Sequence, residues 1–497
     1  MKNSIRLRYS GFVIFVARVL SVATGLAFQY MIARSTSPSE YGVWFNINDM
    51  LSYFTIMAGI VPFWVMRFVA RGEEGAAKTG VITNLAISAV ATLVYVISIP
   101  VMTSVLGVQQ YLNLYILVSV QIVEFYLLNA SEAVLRAKKP QTLGYGLIVA
   151  EVSKVVLGFA LIMSRLVEPL IGAIISITIA VVAELIYYSW LLSEDFKQKV
   201  KWIYAKEWFK GSVANVYNVI GNQIASFIFI MLFSYGGEAA RGSYGAATQI
   251  ANVITYSAFL AFPLYPKFLA ERNSQDVTTS IKMVLMFAIP MTVGAITVPD
   301  LFLSILKSEY IQARNVLVVL SIDALVATIS TLFAFVLYGF ERVDEKARIS
   351  FKELFRSRLF LSFSLSYFHS AITLPLTYFV LTTYTRNDPI LSAFSVAIIN
   401  SAARFLMFLV LYFMVRGMVK VVIPWKNIAK YVFASLIMGC LIYWLNLKLQ
   451  LTRVHQILGL TAFAGVFYLA LLMSIDEDAR TLAKLAWQEI KGALEAI

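Results

Sequence analysis

The chain has 497 residues, of which 60% are apolar and only 14% charged, with a formal net charge of +13. Soluble proteins carry roughly 25% charged residues, so a soluble enzyme is excluded, and in so apolar a chain +13 fits basic cytoplasmic loops rather than nucleic-acid binding. One cysteine (Cys440) and two histidines (His369, His455) exclude an intrachain disulfide and a thiolate or multi-histidine metal centre.

In chain order, Met1 to Tyr9 is short and basic. It runs into an apolar stretch too long for a signal-peptide core and without a small-residue cleavage site, so it reads as the first membrane helix. A membrane helix takes about 20 apolar residues. Fourteen such spans are expected, near 10–33, 43–66, 80–105, 112–135, 142–164, 169–192, 211–234, 244–266, 278–299, 315–340, 359–383, 390–415, 428–448 and 455–475. The runs are continuous rather than alternating, which excludes barrel strands. With the N-terminus in the cytoplasm, inner segments hold 30 of the 41 Lys and Arg. Outer segments hold 8 (Arg34, Arg165, Arg241, Lys307, Arg314, Arg386, Lys448, Arg453), and Arg18, Lys154 and Arg404 lie within spans. This asymmetry predicts a multi-pass protein of the cell (plasma or inner) membrane with both termini cytoplasmic.

The inner segment 193–210 sets Trp202, Tyr204 and Trp208 among lysines, as in a helix lying at headgroup level. A second long inner segment covers 341–358. The tail, 476–497, places Leu482, Leu485, Ile490, Leu494 and Ile497 near one helical face, which suits either a surface-lying amphipathic helix or a solvated tail.

The chain resembles itself at an offset of about 200 residues: Tyr41-Gly42 with Tyr244-Gly245, Tyr53 with Tyr256, Pro100 with Pro299, Tyr111 with Tyr310, Val134-Leu135 with Val336-Leu337, and Pro62 with Pro263 and Pro266. Six spans per repeat give two halves of the same orientation, related by an axis along the membrane normal. The expected organisation is an N-lobe 1–192, an inter-lobe linker 193–210, a C-lobe 211–416, two appended spans in 417–475 and the cytoplasmic tail 476–497.

The segment Ile32-Ala33-Arg34-Ser35-Thr36-Ser37-Pro38-Ser39-Glu40-Tyr41-Gly42 resembles the A-R-x-L-x-P-x-E-Y-G stretch of polysaccharide biosynthesis proteins, the Wzx-like oligosaccharide flippases. These belong to the multidrug/oligosaccharidyl-lipid/polysaccharide (MOP) exporter superfamily. Met66-Arg67-Phe68-Val69-Ala70, Tyr244-Gly245-Ala246-Ala247 and Pro299-Asp300-Leu301 through Tyr310 extend the resemblance, which covers essentially the whole chain. Residues 35 and 36 are Ser and Thr where the family often has a Leu nearby. The resemblance implies an all-α, V-shaped, MATE-like bundle of two pseudo-symmetric six-helix lobes plus two C-terminal helices. It also implies movement of a lipid-linked oligosaccharide from the cytoplasmic to the outer leaflet, and a central cavity lined by helices one, two, seven and eight.

A charge within a span costs several kcal/mol and faces a cavity or a partner. Arg18, Ser21, Gly25 and Gln29 share one face of helix one. Asn46, Asp49 and Tyr53 share a face of helix two. Asn215, Asn218, Asn222 and Ser226 form a stripe on helix seven, and Gln249, Asn252 and Tyr256 one on helix eight. These stripes suit a hydrophilic lumen or interhelical hydrogen bonding; for Arg18 the lumen is favoured. Arg404, with Asn400 one turn before it, either reaches a lumen or pairs with Asp323. Glu151 and Lys154 are spaced to neutralise each other. Glu124 and Glu184 have no cation in reach on their own helices, and with Asp323 they are candidates for H+ or Na+ coupling.

The expected substrate is an anionic polyprenyl-diphosphate oligosaccharide, its diphosphate met by Arg18 and its sugars by the Asn, Gln and Tyr stripes. Lobes rocking about kinks at Pro62, Pro263 and Pro266 would move it by alternating access. The expected partners are this substrate, membrane lipid and glycan-assembly proteins, with no cofactor and no nucleic acid. A cation-coupled small-molecule or multidrug exporter of the same superfamily is the nearer rival. An integral-membrane glycosyltransferase or polymerase is the other, against which stand the short outer connections. The one acidic triplet, Asp476-Glu477-Asp478, opens the tail, and no nucleotide-binding loop is present.

Overall fold

A computed structural model describes residues 7–261, 274–340, 357–481 and 484. The segment 341–356, most of the tail 476–497, and Pro263 and Pro266 lie outside the described residues, and with them the expectations placed there. Among the described residues the chain is helical without strands. Eleven helical segments are long and apolar enough to cross a membrane. They coincide with the expected spans three to seven and nine to fourteen, and the chain is a multi-pass membrane protein. The three remaining expected spans, one, two and eight, are not counted among the described residues: span one forms a continuous helix, span two is interrupted, and span eight is described only as far as Ala261. Span one is the 29-residue helix α1 (Leu7–Ser35). Span two is two helices, α2 (Pro38–Phe54) and α3 (Ile60–Ala70).

The break in span two has a local cause. Pro62 carries no N–H, so the carbonyl four residues earlier, Ala58, cannot be bonded within a helix. Asn84 supplies the missing donor at 3.1 Å and also bonds the Tyr126 carbonyl at 2.9 Å. The Tyr126 hydroxyl in turn donates to the carbonyl of Phe54 at 3.1 Å. Asn84 is fully buried. The break is thus braced on both sides, and it precedes Pro62 instead of bending around it. Span eight changes at the corresponding register: α11 (Glu238–Thr255) passes into a 3-10 turn at Tyr256–Ala261. Tyr111 and Tyr310 also share a setting, each in a 3-10 turn leading into a helix. Pro100 and Pro299 do not: the first lies inside a helix, the second starts one.

The chain divides into two compact units, Met1–Gly245 with Leu374–Ser392, and Ala246–Thr373 with Ala393–Ile497. In the first unit α1 packs on α7 (Gln141–Gly158) and α7 on α8 (Pro169–Leu191). There α6 (Val120–Lys138) touches α3, α8 and α4 (Ala76–Val105). Gly144 and Gly158, four turns apart on α7, let α1 approach at Val13 and Phe28. The short helices α5 (Leu112–Val118) and α9 (Trp202–Gly211) and the long α10 (Val213–Gly236) complete it. Helix α9 is docked rather than lying free at headgroup level. Trp208 is 1% exposed and meets Phe68 edge-on at 5.5 Å, Tyr204 also meets Phe68 edge-on at 5.2 Å, and Trp202 alone of the three aromatics stays 60% exposed. The i, i+3 spacing of Ala205 and Trp208 gives the helix an apolar face of its own, which α3 covers.

In the second unit α12 (Ser274–Thr297) packs on α14 (Arg314–Phe340) and α17 (Trp425–Leu449), with α13 (Pro299–Leu306) between α12 and α14 in sequence. Helices α15 (Arg358–Thr383) and α16 (Pro389–Arg416) precede α17, and α18 (Val454–Ile475) closes the order. The last two helices share the unit's core through Tyr431, Met438, Leu460 and Tyr468, and the Tyr468 hydroxyl donates to the Met286 carbonyl at 2.7 Å.

The acidic triplet after α18 is structural. Asp476, 1% exposed, accepts from Lys430 at 2.9 Å and Asn427 at 3.1 Å, and Asp478 from Lys282 at 2.7 Å. The Lys282 hydrogen bond holds the Asp478 carboxyl below the usual carboxylate range. A depressed folded value gives stability that is full above the ordinary carboxylate pKa of about 4 and is lost as pH falls through the lowered value. Thermal unfolding in detergent should therefore separate wild type from Asp478→Asn at neutral pH. The gap should be small, since the pair is half exposed, and should close below about pH 4. A gap that widens on acidification would contradict the pairing.

Candidate functional site

The segment that carries the family resemblance folds for local reasons. Ser37 caps α2: its hydroxyl accepts from the Glu40 N–H at 3.2 Å, and the Glu40 carboxylate accepts from the Ser37 N–H at 2.7 Å. Pro38 opens the helix where no N–H is needed. The Tyr41 hydroxyl donates back to Gln29 of α1 at 3.0 Å. Gly42 lies directly against the Glu238 carbonyl, and Gly242 against that of Pro38. The two glycines thus let the first turns of α2 and α11 touch backbone to backbone.

About two turns beyond Gly42 on α2, and next to Gly242 on α11, the same junction holds a buried ion pair. Arg241 grips Asp49 with two bonds, Nε to Oδ2 at 2.7 Å and Nη2 to Oδ1 at 2.9 Å, and the side chains are 7% and 16% exposed. The guanidinium also lies over the rings of Phe45 and Phe229, at 4.6 and 4.9 Å. Counted as an outer-loop charge in the sequence, Arg241 is instead a buried residue of α11. The other two polar residues of the α2 face are also engaged. Asn46 accepts from Tyr115 of α5 at 2.6 Å, and the Tyr53 hydroxyl donates to the Gln223 carbonyl of α10 at 3.1 Å. Gln223 returns a bond to Ser52 at 2.6 Å. These three residues hold neighbouring helices together.

A second cluster joins α1, α6, α7 and α8. Ser21 donates to Glu151 Oε1 at 3.1 Å, and Thr24 donates to its other oxygen. Lys154 pairs with Glu151 at 2.7 Å, the neutralisation that their spacing predicts. Glu184 accepts from Tyr188 at 2.8 Å and lies within the fields of Glu132, Glu151 and Lys154. Glu132 pairs with Arg136 at 3.6 Å and also feels the charge of Arg18. Arg18 itself is exposed. Glu124 is 5% exposed, and neither of its oxygens has a partner among the described residues.

On α10, Asn215 and Asn218 are half-buried and Asn222 is exposed, with Asn222 and Asn218 3.5 Å apart and Ser226 bonded to the Asn222 carbonyl. In the second unit Gln249 and Tyr256 are half-buried and Asn252 is exposed. There Arg404 takes the ion-pair alternative, reaching Asp323 at 2.7 Å. The carboxylate is 6% exposed and the guanidinium 38%. His369 and Asn400 are buried beside this pair.

Sequence reasoning missed Arg241, Gln223, Thr24, Tyr115, Glu132 and His369. Thr24 was within reach, one turn from Ser21 on a helix already read as polar. Glu132 was also within reach, four residues before its partner Arg136; the other four declare themselves only through partners far away in sequence.

No protein-family model and no curated protein matches the sequence. The fold does match solved structures. "Lipid II flippase MurJ, inward closed conformation" superposes with a TM-score of 0.69 at 14% identity, over 94% of this chain and 99% of that one. An inward-facing multidrug resistance MATE family transporter of the MOP superfamily gives 0.56 at 14% identity, over 80% and 95%. A MATE in the straight conformation gives 0.54 at 14%, over 83% and 96%. The chain has the fold that these MOP-superfamily structures share.

Proposed function

We propose that the protein is a transporter that moves a lipid-linked oligosaccharide, carried on a polyprenyl diphosphate, from the cytoplasmic to the outer leaflet of the cell membrane by alternating access, with no catalytic step. The observation that carries this reading is Arg18. It is a charge in the middle of a long apolar helix and is left exposed while the other intramembrane cations, Lys154 and Arg404, are paired. Among the described residues it has no ion-pair contact, only the field of Glu132; an Arg so placed is tolerable only where it meets water or an anionic ligand, and a guanidinium binds phosphate through two parallel N–H bonds. The exposed Asn222 and Asn252 and the half-buried Asn215, Asn218, Gln249 and Tyr256 supply neutral donors and acceptors suited to sugar hydroxyls. The likeness to a lipid II flippase supports a lipid-linked cargo, and an Arg in the path disfavours a cationic drug.

With the Lys- and Arg-rich face in the cytoplasm, the α2–α11 junction lies at the outer end. The Asp49–Arg241 pair then closes that end and must open once per cycle. Proton uptake drives the cycle. Glu124, buried without a partner among the described residues, and Glu184, bonded to Tyr188 among other carboxylates, are the groups that take up and release it.

The test is a leaflet-transfer assay on Arg18 variants. Because Arg18 is exposed, Arg18→Ala should fold and melt like wild type while transport of a diphosphate-linked donor falls at least tenfold. Arg18→Lys should keep an intermediate rate. Undiminished transport by Arg18→Ala would remove the phosphate-anchoring role.

A further inference from the structure

The first unit contains a groove of about 770 Å³ that meets the polar clusters only at Tyr53, whose hydroxyl is engaged by the Gln223 carbonyl. Its walls are the end of α2 and the break that Pro62 and Asn84 create, a stripe of α4, and the outer face of α9. The α4 stripe runs Thr83, Ile87, Val90, Val94, eleven residues of helix or about 16 Å. That is about half the ~30 Å hydrocarbon core of a bilayer, the depth of one leaflet. Val90 is 63% exposed and Val94 52%, so the groove is continuous with the surface that faces lipid, and a chain enters it sideways.

The hydroxyls of Tyr53 and Tyr126, also in the lining, are spent on the Gln223 and Phe54 carbonyls, and charge and unpartnered polarity are confined to one end. Lys206 of α9 is the one charged group in the lining. It stands where α9 joins α4: the Thr79 hydroxyl accepts from the Lys201 N–H at 2.9 Å. One turn further along α4, Thr83 lines the groove with its hydroxyl buried, 4% exposed and without a partner among the described residues. Beyond Thr83 the α4 wall is apolar. Lys206, the unpartnered hydroxyl and the exposed Trp202 mark a headgroup-level mouth, and the rest marks a hydrocarbon slot. A slot built on one helical stripe holds one chain. A polyprenyl phosphate has a single tail, whereas a phospholipid has two.

We infer that this groove holds the inner-leaflet tail of the polyprenyl-linked donor, with Lys206 against its phosphate and Thr83 donating to an ester oxygen. The donor would be captured here before its diphosphate passes to Arg18. The inference rests on the lipid-linked transport proposed above.

The experiment uses the full chain in phosphatidylcholine nanodiscs with a benzophenone-bearing polyprenyl phosphate. Photolabelled peptides are read by mass spectrometry, and donor transfer is assayed in parallel. Labelling is expected within 83–94 and 202–209. It should fall about tenfold in Val90→Trp, which fills the slot from an exposed position. It should fall several-fold in Lys206→Ala, recover in Lys206→Arg, and be competed by unlabelled polyprenyl phosphate but not by equal phosphatidylglycerol. Labelling unchanged in Val90→Trp, or competed equally by phosphatidylglycerol, would overturn the assignment. Donor transfer without labelling of these segments would overturn the groove and leave the transport reading standing. Labelling without transfer of any donor would support the groove and overturn the transport reading.

Discussion

Arg241→Ala should destabilise the protein more than any other single charge removal. It leaves Asp49 buried with no countercharge and strips the cation from two aromatic faces. Removing one partner of a buried pair costs about 3–5 kcal/mol, much of it the desolvated charge left behind. Asp49→Ala should cost a similar amount for the mirror-image reason. The double variant should cost clearly less than the two together, because both charges then go. A double-mutant cycle on unfolding in detergent measures this directly, and strict additivity would show that the pair is not coupled. Transport adds a second expectation. If the pair closes the outer end, the double variant should favour the outward-open state, and an accessibility probe placed at Asn48 should react faster than in wild type.

Gly42→Leu is expected to have the second large effect. A Cβ at Gly42 runs into the Glu238 carbonyl, a backbone atom that cannot rotate away, and Gly242 mirrors the contact at Pro38. Overpacking at a site free to adjust costs about 1–3 kcal/mol. Here the rigid backbone and the ion pair about two turns along α2 raise the cost toward the upper end. Gly25→Leu is the control, since Gly25 of α1 has open space around it. Size-exclusion profiles and melting of the two variants should differ sharply. Equal behaviour would mean that the helices do not meet at Gly42.

How much the sequence discloses depends on whether a feature is local. Apolar runs disclosed eleven spans, because crossing a membrane is a property of some twenty consecutive residues. The break in span two was hidden: Pro62 announces a missing donor, yet only Asn84, 22 residues later, decides where the helix stops. Trp208 was read as an interface anchor because aromatics among lysines suit the headgroup layer, but the alanine three residues before it makes a packing face that α3 buries. Charge counting assigned Arg241 a side of the membrane but could not show that it is buried, because the count carries no information on a partner 192 residues away. The short-range pair Glu151–Lys154 was legible from spacing alone. The Asp323–Arg404 pair was legible only as one of two alternatives, because helical register gives a face but not what stands opposite.

The proposed cargo is an anionic lipid-linked oligosaccharide that changes leaflet through this protein. The most direct measurement places the purified chain in proteoliposomes carrying a polyprenyl-diphosphate oligosaccharide in one leaflet and follows, with an impermeant sugar-modifying reagent, when the sugar reaches the other. Transfer should run well above that in protein-free vesicles, be accelerated by a proton gradient and be largely lost in Arg18→Ala. Transfer no faster than in protein-free vesicles, across a broad panel of donors and with a gradient imposed, would contradict the proposed transport.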